Sequence, residues 1–270
     1  MFCEAEIAPL IGIRKKAERF GIEIEVEGRN LPVGVVGWKQ TMDGSLRGDE
    51  NVEYVLRTVS SLENVKKYLD NLKKAYDENN SVIDETIRAG VHVHLNVTDL
   101  NVRQMFNFIT VYYIFEDFLC QFCGPERSGN HFCLRVSDAM APIFSLKYAL
   151  ERKNFTVLSN DNLRYAALNF TSLFRHGSLE FRAMRSTADL DEVYKWVCIL
   201  NELFETTTKN YHESPSEIPR MFSGDGAELF VNTFLPTYGK ELILDTPGYE
   251  LTLRDSLRNC QPFIYATDWS

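Results

Sequence analysis

Hydrophobic and acidic residues alternate over FGIEIEVE, residues 20–27. Phe20, Ile22, Ile24 and Val26 fall on one face and Glu23, Glu25 and Glu27 on the other. A period of two marks a strand buried on one side. A turn-rich stretch from Gly28 to Gly37 comes next, then a tight turn at Asp43-Gly44 and a second strand over residues 52–56. From Leu62 the spacing becomes helical, through Val65, Leu69, Leu72 and Tyr76. Ser60, with Glu63 three residues on, predicts the start of that helix, and Asn79-Asn80 its end.

Alternation returns in AGVHVHLNV, residues 89–97, with Val91, Val93, Leu95 and Val97 opposite His92, His94 and Asn96. A long helix is predicted from Asp99, its cap, to Phe122. Asn107, Glu116 and Asp117 interrupt its apolar run, which makes it a buried helix of a soluble protein and no membrane span. Gly124 and Pro125 open a loop carrying Arg127, Asn130 and His131. A short helix is expected over 142–151, strands over 165–174 and 179–184, and a helix over 190–208. Beyond Tyr211 the pattern weakens, with short helices near Ala227 and Leu253. Strands come in pairs between helices, which predicts an α+β fold. Residues 1–210 form the expected catalytic core. Residues 211–270 form an extension packed on the same domain, a possible determinant of substrate choice.

The 270 residues, 44% of them hydrophobic, suffice for one large core. A net charge of −9 with no basic run repels polyphosphate, so nucleic acid is not an expected partner. Clustered carboxylates can still hold divalent cations that face a nucleotide's phosphates. Glu4 and Glu6 precede the first apolar stretch and Lys15-Lys16 come after it, the wrong order for a secretory signal. The six cysteines are then expected to be reduced, in a cytoplasmic setting.

Three strands carry paired chemistry. Glu23 and Glu25 project from one face with Cα atoms about 6.7 Å apart. A divalent metal relieves their repulsion; a solvated strand face is the plainer alternative. His92 and His94 likewise point together, suited to metal and phosphate or else to a polar outer face. Glu180 and Arg182 pair an acid with a cation, as metal and anion ligands or as a simple salt bridge. Arg164, Arg175 and Arg185 add positive charge nearby in sequence. If one sheet brings these strands together, it forms a channel with acids and a histidine for metals and arginines for anions.

The strings FGIEIEVE, MDGSLRG followed by VEYV, AGVHVHLNV, RYAALNF and SLEFRAMRSTAD occur in that order between residues 20 and 189, within a likeness that covers residues 20–209. In this the chain resembles the phage and bacterial amidoligases, COOH–NH2 ligases related to glutamine synthetase and glutamate–cysteine ligase. The resemblance implies a glutamine synthetase-like domain with a curved, mainly antiparallel sheet backed by helices. It also implies ATP and two or more Mg2+ or Mn2+ ions, with a carboxylate and an amine as co-substrates, in the host cytoplasm if the gene is a phage's. Glu23, Glu25, Glu53, His92 and Glu180 would be metal ligands, with Glu50 as a substitute for Glu53 and Asp43 as a further contact. His94, Arg182 and Arg185 would face the nucleotide. Arg182, Arg164 and Arg127 would neutralise the acyl phosphate or hold the substrate carboxylate, and Asn169 would orient substrate or backbone. A guanidino kinase-like phosphotransferase and a non-catalytic nucleotide-binding protein are the alternatives. Cys120, Cys123, His131 and Cys133 have the ligand types of a structural zinc site, though Cys120 and Cys123 also suit the buried end of a helix. The substrates and the oligomeric state are not legible from the sequence.

Overall fold

In the computed structural model, which describes residues 2–48, 50–223 and 226–267, one seven-stranded sheet organises the chain. Its strands are β1 (Phe20–Arg29), β2 (Trp38–Thr41), β3 (Glu50–Leu56), β4 (Val82–Asp84), β5 (Gly90–Asn96), β6 (Leu168–Asn169) and β7 (Ser178–Arg185). The order is β2-β3-β1-β5-β7-β6, with β4 beside β5 on the same side of β1, and every pairing is antiparallel. The fold is therefore α+β with an antiparallel sheet. The expected curved sheet is not found: the sheet is open, running between two edges without curling round a channel. Its edge strands have only four and two residues, too short to reach round and close it. The polar face becomes a cleft because loops stand over it.

The helices are α1 (Ile7–Ile11), α2 (Leu62–Asn79), α3 (Val102–Phe122), α4 (Ala141–Arg152), α5 (Ser172–His176), α6 (Leu190–Glu205), α7 (Gly226–Phe234) and α8 (Tyr249–Ile264). They back the face that carries Ile22, Ile24, Val26, Val91, Val93, Leu95 and Phe181, all buried. Phe108 and Tyr112 of α3 set their rings 5.8 and 4.9 Å from Phe181, and Phe108 meets Phe204 of α6 at 5.6 Å. On the other flank Tyr76 of α2 packs edge-on against Tyr54 of β3. Helix α8 packs behind α3 and α4, and none of the described residues beyond 210 lines the cleft. No helix among the described residues is long and apolar enough to cross a membrane.

Several boundaries move for identifiable reasons. Ser60 does not cap α2, because its backbone exchanges two hydrogen bonds with Phe20; Ser61 accepts from the Asn64 N–H instead. Asp99 is held by Arg19, so α3 starts at Asn101, which forms a capping box with Gln104. The segment 165–174 contributes only a two-residue strand: the Asn169 side chain accepts from the Thr171 N–H and turns the chain into α5. Helix α6 stops at Glu205 and continues as a wide turn over Thr206–Asn210, where three successive threonine hydroxyls bond back to carbonyls of the preceding turn.

Pairing between β5 and β7 slips by one residue between Val91 and Val93. Arg182 and Ala183 together oppose His92, a bulge that leaves carbonyls without ladder partners. Arg127 supplies donors to them. Its guanidinium is buried and donates to the carbonyls of Ala183 (3.0 Å), Arg182 (2.8 Å) and Ala89 (3.4 Å).

Candidate functional site

Register places the chemistry. Cross-strand partners lie on the same face, and the pairs are Glu25 with Glu53, Glu23 with His92, His94 with Glu180, and Glu180 with Asn169. Each of these residues alternates with a core residue, so the periodicity that builds the core also lines up the acids. They form the floor of a cleft of about 450 Å3 that all of them line except Glu53, which stands beside Glu25.

The floor has two halves. In the first, Glu23, Glu180, His92, His94 and Arg182 compensate one another. Glu23 lies 3.4 Å from His92 Nδ1 and 3.2 Å from His94 Nε2. Arg182 donates to Glu180 Oε1 at 2.5 Å; Asn169 and Ser172 donate to Oε2 at 2.8 and 2.6 Å. Burial alone would raise both acids. The hydrogen bonds and charge of His92 and His94 hold Glu23 well below the ordinary carboxylate range. His94, Arg182 and His92 bring Glu180 down to about 2, with help from Ser172. His94 is raised: burial opposes its charge, but Glu23 and Glu180 favour it more strongly.

The second half is Glu25, Asp43 and Glu53, whose ligand-type oxygens lie within 4.8 Å of one another. Among the described residues it is the only such convergence of three or more His, Cys, Asp or Glu side chains. Glu25 is raised, chiefly by burial, with Asp43 and Glu53 adding to the effect against the pull of His92 and Arg182. Glu53 is raised by burial and by Glu23 and Asp43, despite a hydrogen bond from the Thr41 hydroxyl. Burial works against Asp43 too, but Ser45 and Glu25 bond to it and lower it. No arginine or lysine donates to this triad among the described residues; its fixed donors are the N–H groups of Gly90 and Ser45. Hard oxygen ligands short of positive charge suit Mg2+ or Mn2+. The loop that brings Asp43 is tied down by Glu27, which accepts from the Arg47 N–H at 2.5 Å.

The remaining predicted residues divide by place. Arg164 lies at the cleft mouth, stacked 4.5 Å from the Tyr165 ring, and Asn169 holds Glu180. Arg127 touches the cleft wall, but its donors are taken by the bulge carbonyls. Arg185 is outside the cleft lining, paired with Glu192 and Glu126. Glu50 accepts from the Leu31 N–H and stays outside the triad. Cys120, Cys123 and Cys133 are buried thiols pushed up by burial, while exposed His131 stacks on Tyr165; the four do not converge on a metal position. Thr41, Ser45, Ser172 and Arg88 went unpredicted. Arg88 lines the cleft over the Phe132 ring, 5.7 Å away. All four sit in loops, a short helix or a four-residue edge strand, where no periodicity marks them.

Against known proteins, a family model described as "Putative amidoligase enzyme" matches residues 50–203. That stretch holds Glu53, His92, His94, Glu180 and Arg182, while Glu23 and Glu25 precede it. A comparison with curated proteins finds no match. Among solved structures, one titled "Crystal structure of novel glutamine synthase homolog" aligns over 92% of this chain and 70% of that one, at 14% identity and a TM-score of 0.38. Since the family model takes in more than half of its length, the chain belongs to the amidoligase enzyme family.

Proposed function

We propose that the protein joins a carboxylate to an amine at the expense of ATP, through an acyl phosphate, with two or more Mg2+ or Mn2+ ions in the cleft. The observation that carries this reading is the triad of Glu25, Asp43 and Glu53, to which no arginine or lysine donates among the described residues, beside a floor rich in histidine and arginine. Glu25, Asp43 and Glu53 would hold one cation; Glu23, His92 and Glu180 are the donors for a second. Cations held by these residues would supply Lewis acidity and neutralise charge on the γ-phosphoryl oxygens.

The chain's own residues then have separable roles. Arg182, anchored on Glu180, presents its remaining N–H donors towards the cleft, where charge builds on phosphoryl and carbonyl oxygens. Arg88, Arg164 and Arg175 line the same cleft without acidic partners among the described residues, and would hold an anionic substrate group. A carboxylate oxygen attacks the γ-phosphorus as the bond to ADP breaks. The amine nitrogen attacks the acyl carbon, the bond to phosphate breaks, and the nitrogen releases a proton. ATP is needed because a free carboxylate is a poor electrophile near neutral pH.

The test is release of ADP and inorganic phosphate from carboxylate–amine mixtures, with the product identified by mass spectrometry. Release requiring both co-substrates is the expected result. ADP formed with a phosphorylated guanidine and no inorganic phosphate would replace this reading by phosphotransfer. Tight ATP binding without turnover on any mixture would point to a nucleotide-binding protein.

A further inference from the structure

Arg127 is the only arginine or lysine buried among the described residues, at 1% exposure, and no carboxylate there pairs with it. Carbonyl dipoles alone offset its charge, a costly arrangement for a buried cation. It stands in the single turn after α3, Pro125–Arg127, and reaches in where β5 and β7 slip out of register. Two of its contacts bear on the cleft floor. The first is the Arg182 carbonyl, 2.8 Å from Nη2. The Arg182 N–H donates to the Ala167 carbonyl at 2.8 Å, so the peptide plane before that Cα is held from the β6 side. Arg127 holds the plane after it. Peptide groups are planar, so fixing both planes fixes the backbone torsions of Arg182 and the direction in which its side chain leaves.

The second contact is the Ala89 carbonyl, which the Ser186 N–H also reaches, each at 3.4 Å. That carbonyl belongs to the same peptide group as the Gly90 N–H, the donor to Glu25 Oε2 at 3.0 Å. The two ends of a trans peptide point in opposite directions, so holding the oxygen aims the N–H at Glu25. The backbone lies close against the guanidinium here. A Cβ at Gly90 would stand 3.1 Å from Arg127 Nη2 and 3.2 Å from the Met184 carbonyl.

We propose that Arg127 is a positioning residue for both halves of the floor, setting the peptide from which Arg182 reaches into the cleft and the peptide that steadies Glu25. The inference rests on the ligase reading above, and it gives Arg127 a task other than the anion-binding one expected from the sequence. A planar fork can span carbonyls of two strands at once, whereas an ammonium acts from a single point. Errors of about 1 Å in a catalytic group can cost on the order of 100-fold in rate, so a partial loosening is worth roughly tenfold. The plainer alternative is that Arg127 only stitches its loop to the sheet. Its loss would then lower stability and leave folded enzyme fully active.

Arg127→Lys keeps the charge and removes the fork. In folded protein at saturating Mn2+ and ATP, kcat should fall roughly tenfold, with KM for carboxylate and amine within about twofold of wild type. Because Arg127 acts through Arg182, the double variant with Arg182→Ala should lose no more than Arg182→Ala alone, roughly 100-fold. A loss of about 1,000-fold, the product of two independent effects, would overturn the proposal. Mn2+ affinity, measured by calorimetry without ATP, should weaken roughly tenfold as Glu25 loses its fixed donor. Wild-type kcat and Mn2+ affinity in folded Arg127→Lys would leave the residue a stitch and overturn its positioning role. Should Arg127→Lys not fold, Gly90→Ala decides, since its Cβ crowds the fork while the charge and the loop stay in place. A severalfold fall in kcat with the melting temperature nearly unchanged supports the proposal, and full turnover overturns it. A wild type that turns over no carboxylate–amine mixture and binds no Mn2+ would sink the ligase reading, and this role with it.

Discussion

The two halves of the cleft floor share a sheet face and a residue vocabulary, yet they are in opposite electrostatic states. Glu23 and Glu180 have a histidine or arginine within hydrogen-bonding distance and are held ionised. Glu25, Asp43 and Glu53 have one another, and two of the three are raised towards the neutral form. A carboxylate cluster is therefore not a metal site merely by being acidic; what matters is whether the protein supplies the counter-charge itself. By this criterion the triad is the first place for a cation. A second ion beside Glu23 and Glu180 must compete with Arg182 and the histidines.

Glu180→Gln tests the compensated half most severely. It breaks a buried pair with Arg182 and should lower stability by about 3 kcal/mol, read by denaturant unfolding. Little loss would mean the pair is not what holds that half. Arg182→Ala should reduce amide-forming turnover roughly 100-fold, while the rise in melting temperature produced by Mn2+ survives, because the triad is untouched. Near wild-type turnover would pass the anion-binding role to Arg164 or Arg88.

The triad should respond in the other direction. Glu25 is an acid whose folded pKa is raised, so without metal its contribution to stability is present at low pH and is lost as pH rises through that folded value. Glu25→Gln should then melt slightly above the metal-free wild type at neutral pH, on the order of 2 °C, and match it near pH 4. It should also lose the Mn2+ stabilisation. A Mn2+ shift of wild-type size in this variant would move the metal elsewhere. Finally, since binding at Glu25 and Glu53 displaces protons, Mn2+ affinity should increase with pH across the acid range, measurable by calorimetry in buffers of different ionisation enthalpy.

An acid far from the cleft provides a control. Glu116 of α3 is buried, accepts only from the Val136 N–H among the described residues, and is raised to about 8 by burial. Wild-type stability should decline between about pH 5 and 8 as the unfolded state alone releases this proton. Glu116→Gln should flatten that decline without changing the response to Mn2+, separating the general cost of a buried acid from the metal-linked one.

The strands bearing chemistry were legible because one periodicity serves both core and site: Ile22, Ile24 and Val26 cannot be buried without aligning Glu23, Glu25 and Glu27. The same holds for 89–97. The curved sheet was not legible, because it came by analogy with relatives and strand alternation carries no information on closure. Arg127 and Arg185 were expected to serve beside Arg182 as cations of the site. Their partners are backbone carbonyls and acids elsewhere in the chain, which spacing cannot reveal. The triad's third member, Asp43, was expected as a further contact from a turn, and it reaches Glu25 through the fold of a loop held by Glu27.

The bulge in β7 has a consequence for parity. A strand that alternates strictly assigns its even and odd positions to opposite faces for its whole length, so Glu180 and Arg182 would commit residue 184 to the cleft. By opposing His92 with two residues, β7 changes the rule after Arg182, and Met184 pairs with Val91 in the core. The extra residue acts like an inserted letter that shifts the reading frame of every later position. Shortening β7 by one residue between 181 and 184 would remove the bulge and restore strict alternation, with Met184 still opposite Val91 on the core side. The carbonyls that Arg127 now holds would return to the ladder, leaving a buried guanidinium with little to bind.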